Sequence, residues 1–463
     1  MTTQTTRSDQ LHPDRLFPAD PEVRELARRI YARVAALPLV SVHGHVDAAL
    51  LAQDQPFADP ADLFVVKDHY VTRVLHSIGI PLENLRPDAD PRRVWRLFCE
   101  NWAAFRGTST RIWLEDELTS LFEVPLPLDG TGADTTYDLI SERLREEAYR
   151  PRALFRRFNL ELLSTTDTPG SSFAPHEALR AAGLNVVPTL RPDRLTDPMR
   201  PDWEQALEES GVTSYAGLVT YLREERARTV AQGAVATDHG HTWPDTEDLG
   251  EVEAGRLFDR IRLERAGPED RRRLGAQLLT VNALLALEDG LVMQLHSGVQ
   301  RDHDRASAAR FGADIGADFP LPVSFVGPLR PLLERCGNEP RLRFVVFTVD
   351  ETSYSRELAP MASYWPALYL GAPWWFLDAP DSMARHFSAV AESAGYAKLT
   401  GFVDDTRAFC SIPSRHDVAR RTIARHLAIS VAEHRLGPDE AEAVAEAYAY
   451  GQPRSVYGVS SSS

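Results

Sequence analysis

Eight apolar runs of strand length punctuate the chain, and each gives way at its end to side chains that can bind metal or move protons. They occupy residues 38–47, 160–167, 184–191, 233–239, 291–296, 343–350, 367–375 and 399–407. Segments of helical periodicity separate most of them, among them 203–232, 253–286 and 381–395. Strands alternating with helices make parallel sheets. Eight such units with polar groups gathered at their C-terminal strand ends predict an α/β fold, a (β/α)8 barrel of the TIM type with its reaction site on that face. A doubly wound open sheet is the alternative, but no Gly-x-Gly-x-x-Gly follows the first run and no Gly-x-x-x-x-Gly-Lys is present. Residues 60–150 read as a helical insertion after the first strand, its apolar faces marked by Trp95, Phe98, Trp102, Phe105, Ile112 and Trp113. Helices over 415–450 are expected to pack on the barrel or on a neighbouring subunit, so that residues 1–463 form one elaborated barrel domain.

Composition narrows the setting. With 463 residues and 43% hydrophobic content the chain can bury a large core. A net charge of -16 argues against nucleic acid or an anionic membrane as partner, because neither polyanion would be attracted. Cys99, Cys336 and Cys410 are too few and too scattered for a disulfide framework, which predicts a reducing, cytoplasmic location. No secretory leader is read in Met1 to Arg15, and no run reaches the length that spans a bilayer. Residues up to Pro18 and Ser460 to Ser463 are expected to be mobile ends, with a helix capped by Asp20 between the first of these and the first strand.

The first run ends in His43-Gly44-His45, which places two imidazoles on one side of a strand end, as metal ligands are placed. Closing a barrel sets its last strand beside its first, so Asp404-Asp405 would meet these histidines. One carboxylate and two imidazoles make a mononuclear divalent site with open positions. The bland alternative for Asp405 is a helix cap. A second His-Gly-His, His239-Gly240-His241, is the rival metal site.

Taken together the strand-end motifs resemble those of the uronate isomerase (glucuronate isomerase) family, an outlying branch of the amidohydrolase superfamily. They are His43-Gly44-His45, Lys67-Asp68-His69-Tyr70, Ser164 to Pro169, Arg191-Pro192-Asp193, Asp238-His239-Gly240, Gln294 to Gly298 with Arg301, Trp374-Trp375-Phe376 and Asp405-Thr406-Arg407. The resemblance implies that His43, His45 and Asp405 hold one divalent ion, zinc, with His296 a further ligand or a substrate contact. Asp238-His239 stands where binuclear relatives carry a carboxylated lysine, so a single metal is expected. His241 lies in a Thr-Trp-Pro loop beyond the family motif, and the second His-Gly-His is set aside on that ground.

The implied substrate is a small sugar acid, and the implied reaction interconverts aldose and ketose hexuronates by moving a proton from C2 to C1 through a cis-enediol. Asp405 resembles the family's base, and Tyr70, with His69 beside it, the group that polarises the C1 carbonyl. Arg191 and Arg407 suit the substrate carboxylate and the developing oxyanion, since guanidinium pairs bidentately with carboxylate. Trp374 or Trp375 would wall the sugar, Arg301 would contact it, and Asp167, His176 and Asp238 would support. The segments 302–305 and 352–364, and Ala372-Pro373 before the tryptophan pair, depart from the common bacterial pattern. A relative acting on another sugar acid or a specialised metabolite would carry the same motifs. The rival functions are a hydrolase or lyase on the same barrel and a silent sugar-acid-binding protein. A homo-oligomer is expected.

Overall fold

The computed structural model describes residues 11–459, so the ends expected to be mobile at 1–10 and 460–463 lie outside the described residues. Residues 11–18 depart from that expectation. Arg15 reaches Asp116 at 3.3 Å and Asp417 at 2.6 Å, Asp14 pairs with Arg28 at 2.5 Å, and Phe17 sits edge-on to Tyr31 with ring centres 5.6 Å apart. Part of this tether comes from four hundred residues downstream, where local composition gives no hint of it. The helix Pro21–Val34 then starts as its signals require, with the Asp20 carboxylate accepting from the backbone N–H groups of Glu22 and Val23.

Nine strands follow in the described chain: β1 (Leu39–Ser41), β2 (Leu160–Ser164), β3 (Val186–Val187), β4 (Ala236–His239), β5 (Val292–His296), β6 (Val299–Gln300), β7 (Phe319–Pro320), β8 (Phe344–Phe347) and β9 (Leu368–Leu370). Two parallel sheets, ordered β1-β2-β3 and β4-β5-β8-β9, form one curved wall because Leu190 bridges both Asp167 and Thr237. Beyond β9 the wall continues through a parallel bridge between Leu370 and Leu399. It closes on β1 where the His45 N–H donates to the Thr406 carbonyl at 2.9 Å. This ring is the expected (β/α)8 barrel. All residues of β5 and β8 are buried, as parallel strands covered on both faces should be.

Two local readings are corrected. The eighth run, 399–407, is no regular strand, because Gly401 (φ 83) and Asp405 (φ 40) both take left-handed backbone that a ladder does not admit. The short antiparallel pair β6-β7 was not anticipated. Of the long helical segments, 203–232 is two helices, Trp203–Ser210 and Tyr215–Ala231, parted at Gly211 (φ 70). Likewise 253–286 belongs to Glu251–Arg262 and Pro268–Asp289, the second starting at its proline.

Between Ala48 and Arg157 the chain is helices and turns, packed around a second apolar cluster that includes Trp95, Phe98, Trp102 and Phe105. Ile412–Ala432 lies against the first helix. From it, the Arg420 guanidinium donates to the carbonyls of Ala35, Leu37 and Pro38 at 2.9–3.1 Å, satisfying the chain between that helix's end and β1. Among the described residues no helix is long and apolar enough to cross a membrane.

Candidate active site

β1 carries His43 and His45 just past its C-terminal end, and the irregular eighth segment brings two consecutive carboxylates beside them. Asp405 Oδ1 lies 3.2 Å from His43 Nε2 and 3.0 Å from His45 Nε2. The left-handed turn at Asp405 separates its path from that of Asp404, whose Oδ2 accepts from His416 Nε2 at 3.2 Å. Gly44 lets the two segments pass, since a Cβ there would sit 3.3 Å from Asp404 Oδ1. Although close, neither imidazole is aligned to donate to Asp405 Oδ1, which is buried without a hydrogen-bond partner. Burial pushes the Asp405 carboxyl up, but the two imidazoles outweigh it and hold it well below the usual range, so it is ionised. Two ring nitrogens and a carboxylate oxygen within 4.8 Å of one another fit a divalent ion in chemistry and in spacing. His296 is held elsewhere. Its Nδ1 donates to Asp238 Oδ1 at 2.7 Å, and its ring stacks between His43 and Phe347 with centres 4.5 and 4.0 Å away.

A cavity of about 570 Å³ opens over this cluster. His45, Asp405, His69, Tyr70, Arg191, Arg301, Arg407, Trp374 and Trp375 all reach its wall, while His43 and His296 lie behind it. The Trp375 indole N–H donates to His69 Nε2 at 3.2 Å, so the proton of that neutral ring sits on Nδ1. Burial, then Arg407, pulls His69 down to about 3. His69 stacks on Tyr70 at 4.6 Å, and burial pushes up the Tyr70 phenol, whose hydroxyl has no partner. Trp374 and Trp375 stack nearly parallel at 5.0 Å, the first edge-on to His296 and the second under the Arg301 guanidinium at 4.8 Å. Each wall arginine already has an acid: Arg191 has Asp193 at 2.8 Å and Asp238 at 3.4 Å, Arg301 has Asp318 at 3.0 Å, and Arg407 has Asp314 at 3.2 Å.

Along the sequence, a family model described as glucuronate isomerase matches residues 22–454. The chain belongs to the glucuronate isomerase family. Within that family, the uronate isomerase of Xanthomonas campestris pv. campestris (strain B100) is 47% identical over 463 residues, spanning 96% of this chain and 98% of its own. That of Rhizorhabdus wittichii is 47% identical over 458 residues, covering 97% and 98%. The crystal structure of glucuronate isomerase from Caulobacter crescentus superposes with a TM-score of 0.95 at 42% identity over 98% of both chains. Uronate isomerase from Thermotoga maritima gives 0.90 at 25% identity over 96% of this chain and 99% of its own.

Several groups of this glucuronate isomerase family member's site escaped the sequence reading. Arg415, 1% exposed, lies over Trp113 at 3.7 Å and Tyr70 at 5.0 Å while its Nη1 donates to Asp378 at 2.9 Å and to the Asp404 carbonyl at 3.3 Å. It supports Tyr70 and the eighth segment together. An arginine deep in an apolar helix is the signal that could have flagged it. Burial pushes its partner Asp378 up to about 7 with Arg415 opposing. Asp193 was passed over because its motif was read for Arg191. Asp167 and His176 share the Thr165 hydroxyl at 2.6 and 2.9 Å. His239 and His241 do not join the His43 cluster and face Asp193 instead.

Proposed function

We propose that the chain interconverts aldose and ketose hexuronates, D-glucuronate with D-fructuronate or D-galacturonate with D-tagaturonate, by carrying a proton from C2 to C1. The observation that carries the reading is the shared wall of one cavity. It holds an ionised Asp405, an unpartnered Tyr70 hydroxyl and a neutral His69 within a ring of arginines. The named activity of the relatives supports it over nearly the whole chain. His43, His45 and Asp405 would hold one divalent ion, zinc, which supplies Lewis-acid stabilisation of charge developing on the sugar oxygens.

In this scheme Asp405 removes the C2 proton as the C1 oxygen takes one from the Tyr70 hydroxyl, which His69 stacks against, giving the cis-enediol. The O2 proton then passes to the Tyr70 oxygen and Asp405 returns its proton to C1, which restores both groups. Arg191 binds the uronate carboxylate, with its Nε and Nη1 held by Asp193 and Asp238 so that the guanidinium is fixed in place. Arg407 and Arg301 stabilise the oxyanion and the chain hydroxyls, and the Trp374-Trp375 stack walls the sugar and keeps water out. His296, pinned by Asp238 behind the cavity wall and stacked on His43, supports the metal-binding histidine from behind. Three free, buried cysteines support a cytoplasmic setting, and a homo-oligomer belongs to the same proposal.

Incubation with glucuronate and galacturonate in deuterated water tests the reading by NMR. Ketose should appear, with deuterium at the position that received the proton to the extent that Asp405 exchanges with solvent. Protein loaded with zinc that forms no ketose from either sugar refutes it.

A further inference from the structure

A second histidine-acid cluster lies outside the reaction centre, on the far side of the Arg191 pair. β4 ends in His239, Gly240 and His241 follow, and Asp193 begins the turn Asp193–Thr196. Asp193, His239 and His241 are 6%, 0% and 4% exposed, and one ligand atom from each lies within 4.8 Å of the others.

Their hydrogen bonds decide what kind of cluster it is. His241 Nε2 is 2.9 Å from the Thr196 carbonyl, which can only accept, so Nε2 holds the ring proton and Nδ1 a lone pair. His239 Nε2 meets the Thr237 hydroxyl at 3.2 Å. Asp193 Oδ2 accepts from Arg191 Nε at 2.8 Å and from the Gly240 N–H at 3.0 Å. What remains is Asp193 Oδ1, His239 Nδ1 and His241 Nδ1, all buried and all without a partner. His241 Nδ1 and Asp193 Oδ1 are 3.7 Å apart, too far for a hydrogen bond. That spacing is near the roughly 3.4 Å between ligands on a tetrahedral ion with bonds of about 2.0–2.1 Å. A bond from one ring nitrogen to a neighbouring oxygen, with the other nitrogen left bare, is how metal-binding histidines are oriented. Burial holds His239 neutral, down to about 3, while Arg191 outweighs burial to keep Asp193 ionised. Gly240 permits the arrangement, since a Cβ there would stand 3.0 Å from Asp193 Oδ2 and 2.0 Å from Arg191 Nη2.

We propose that Asp193, His239 and His241 form a second divalent-metal site, of a zinc-binding donor type, whose ion ties the end of β4 to the 193–196 turn and so fixes the carboxylate that positions Arg191. The ion is structural, with no part in proton transfer. This inference stands apart from the isomerase reading, because metal stoichiometry is measured without turnover.

The test is zinc binding to the full chain after stripping with a chelator. Wild type should take up about two equivalents, and a His43→Asn/His45→Asn variant about one, which adding His241→Gln should abolish. Zinc near zero in the folded double variant, or one equivalent that survives His241→Gln, overturns the proposal. Should the substitutions prevent folding, anomalous scattering at the zinc edge from crystals of the unmodified protein reads the same question. A peak among Asp193, His239 and His241 supports the site, and a peak at His43 and His45 alone overturns it.

Discussion

Gly240→Ala isolates the placement of Arg191 from its charge. The new Cβ would come within 2.0 Å of Arg191 Nη2 and 3.1 Å of its Cζ, where ordinary contact starts near 3.4 Å. The guanidinium must therefore retreat by about 1.4 Å, a distance at which the 2.8 Å bond to Asp193 and the 3.4 Å contact with Asp238 cannot both persist. Because the obstructing atoms are the far end of a flexible side chain, the cost to folding should sit at the low end of overpacking, about 1 kcal/mol. Catalysis should suffer more, since misplacing a substrate-positioning group by about 1 Å costs roughly 100-fold. Steady-state assays on glucuronate and galacturonate should show kcat/KM falling by about 100-fold, mostly through KM, with the thermal midpoint nearly unchanged. A folded Gly240→Ala enzyme within about twofold of the parent would mean that Arg191 is not held at the substrate as argued.

Other consequences follow from the same geometry. Asp405→Asn should lower kcat by at least about 1,000-fold while the far-ultraviolet circular dichroism stays unchanged, and near-normal turnover would end the base assignment. Arg191→Met should raise KM for a uronate far more than it weakens binding of the neutral parent sugar, and equal effects would remove Arg191 as the carboxylate anchor. His386 is 1% exposed between Tyr354 and Phe387, and burial pulls it down to about 3. A histidine depressed in the fold leaves the unfolded chain binding the extra proton between about pH 6.5 and 3, so its stability contribution is full above that window. It is lost at about 1.4 kcal/mol per unit as pH falls through it. His386→Met should flatten that part of the stability profile in urea titrations at pH 7, 6 and 5, and an unchanged slope would contradict the burial argument.

The barrel was legible because its signal is long-range repetition, with seven apolar runs becoming strands close to where they were read. The eighth was read as a strand from its apolar start at Leu399, and failed as one because Gly401 and Asp405 adopt backbone that residue type alone does not reveal. β6 and β7 are two residues each, one of them ending in Pro320, too short to show any period. That His43, His45 and Asp405 come together was legible because their residue types are distinctive and barrel closure dictates that they meet. Arg415 and Asp193 were not, since an arginine in a helix and an acid beside an arginine look like surface ion pairs until burial is known. The tether at Arg15 depends on a partner some four hundred residues away, which no local window contains.

The seam between the last and first barrel segments is thin: one backbone hydrogen bond, from His45 to Thr406, with the histidine and aspartate side chains alongside. Assembly and activity are thereby fastened by the same stitch. During synthesis, the groove for the sugar cannot mature until position 405 has emerged and found position 45, so the barrel segments made before it must wait as an unclosed sheet with a bare edge. A cation arriving at that junction would act as a rivet, and its loss should loosen the molecule along this line before any other.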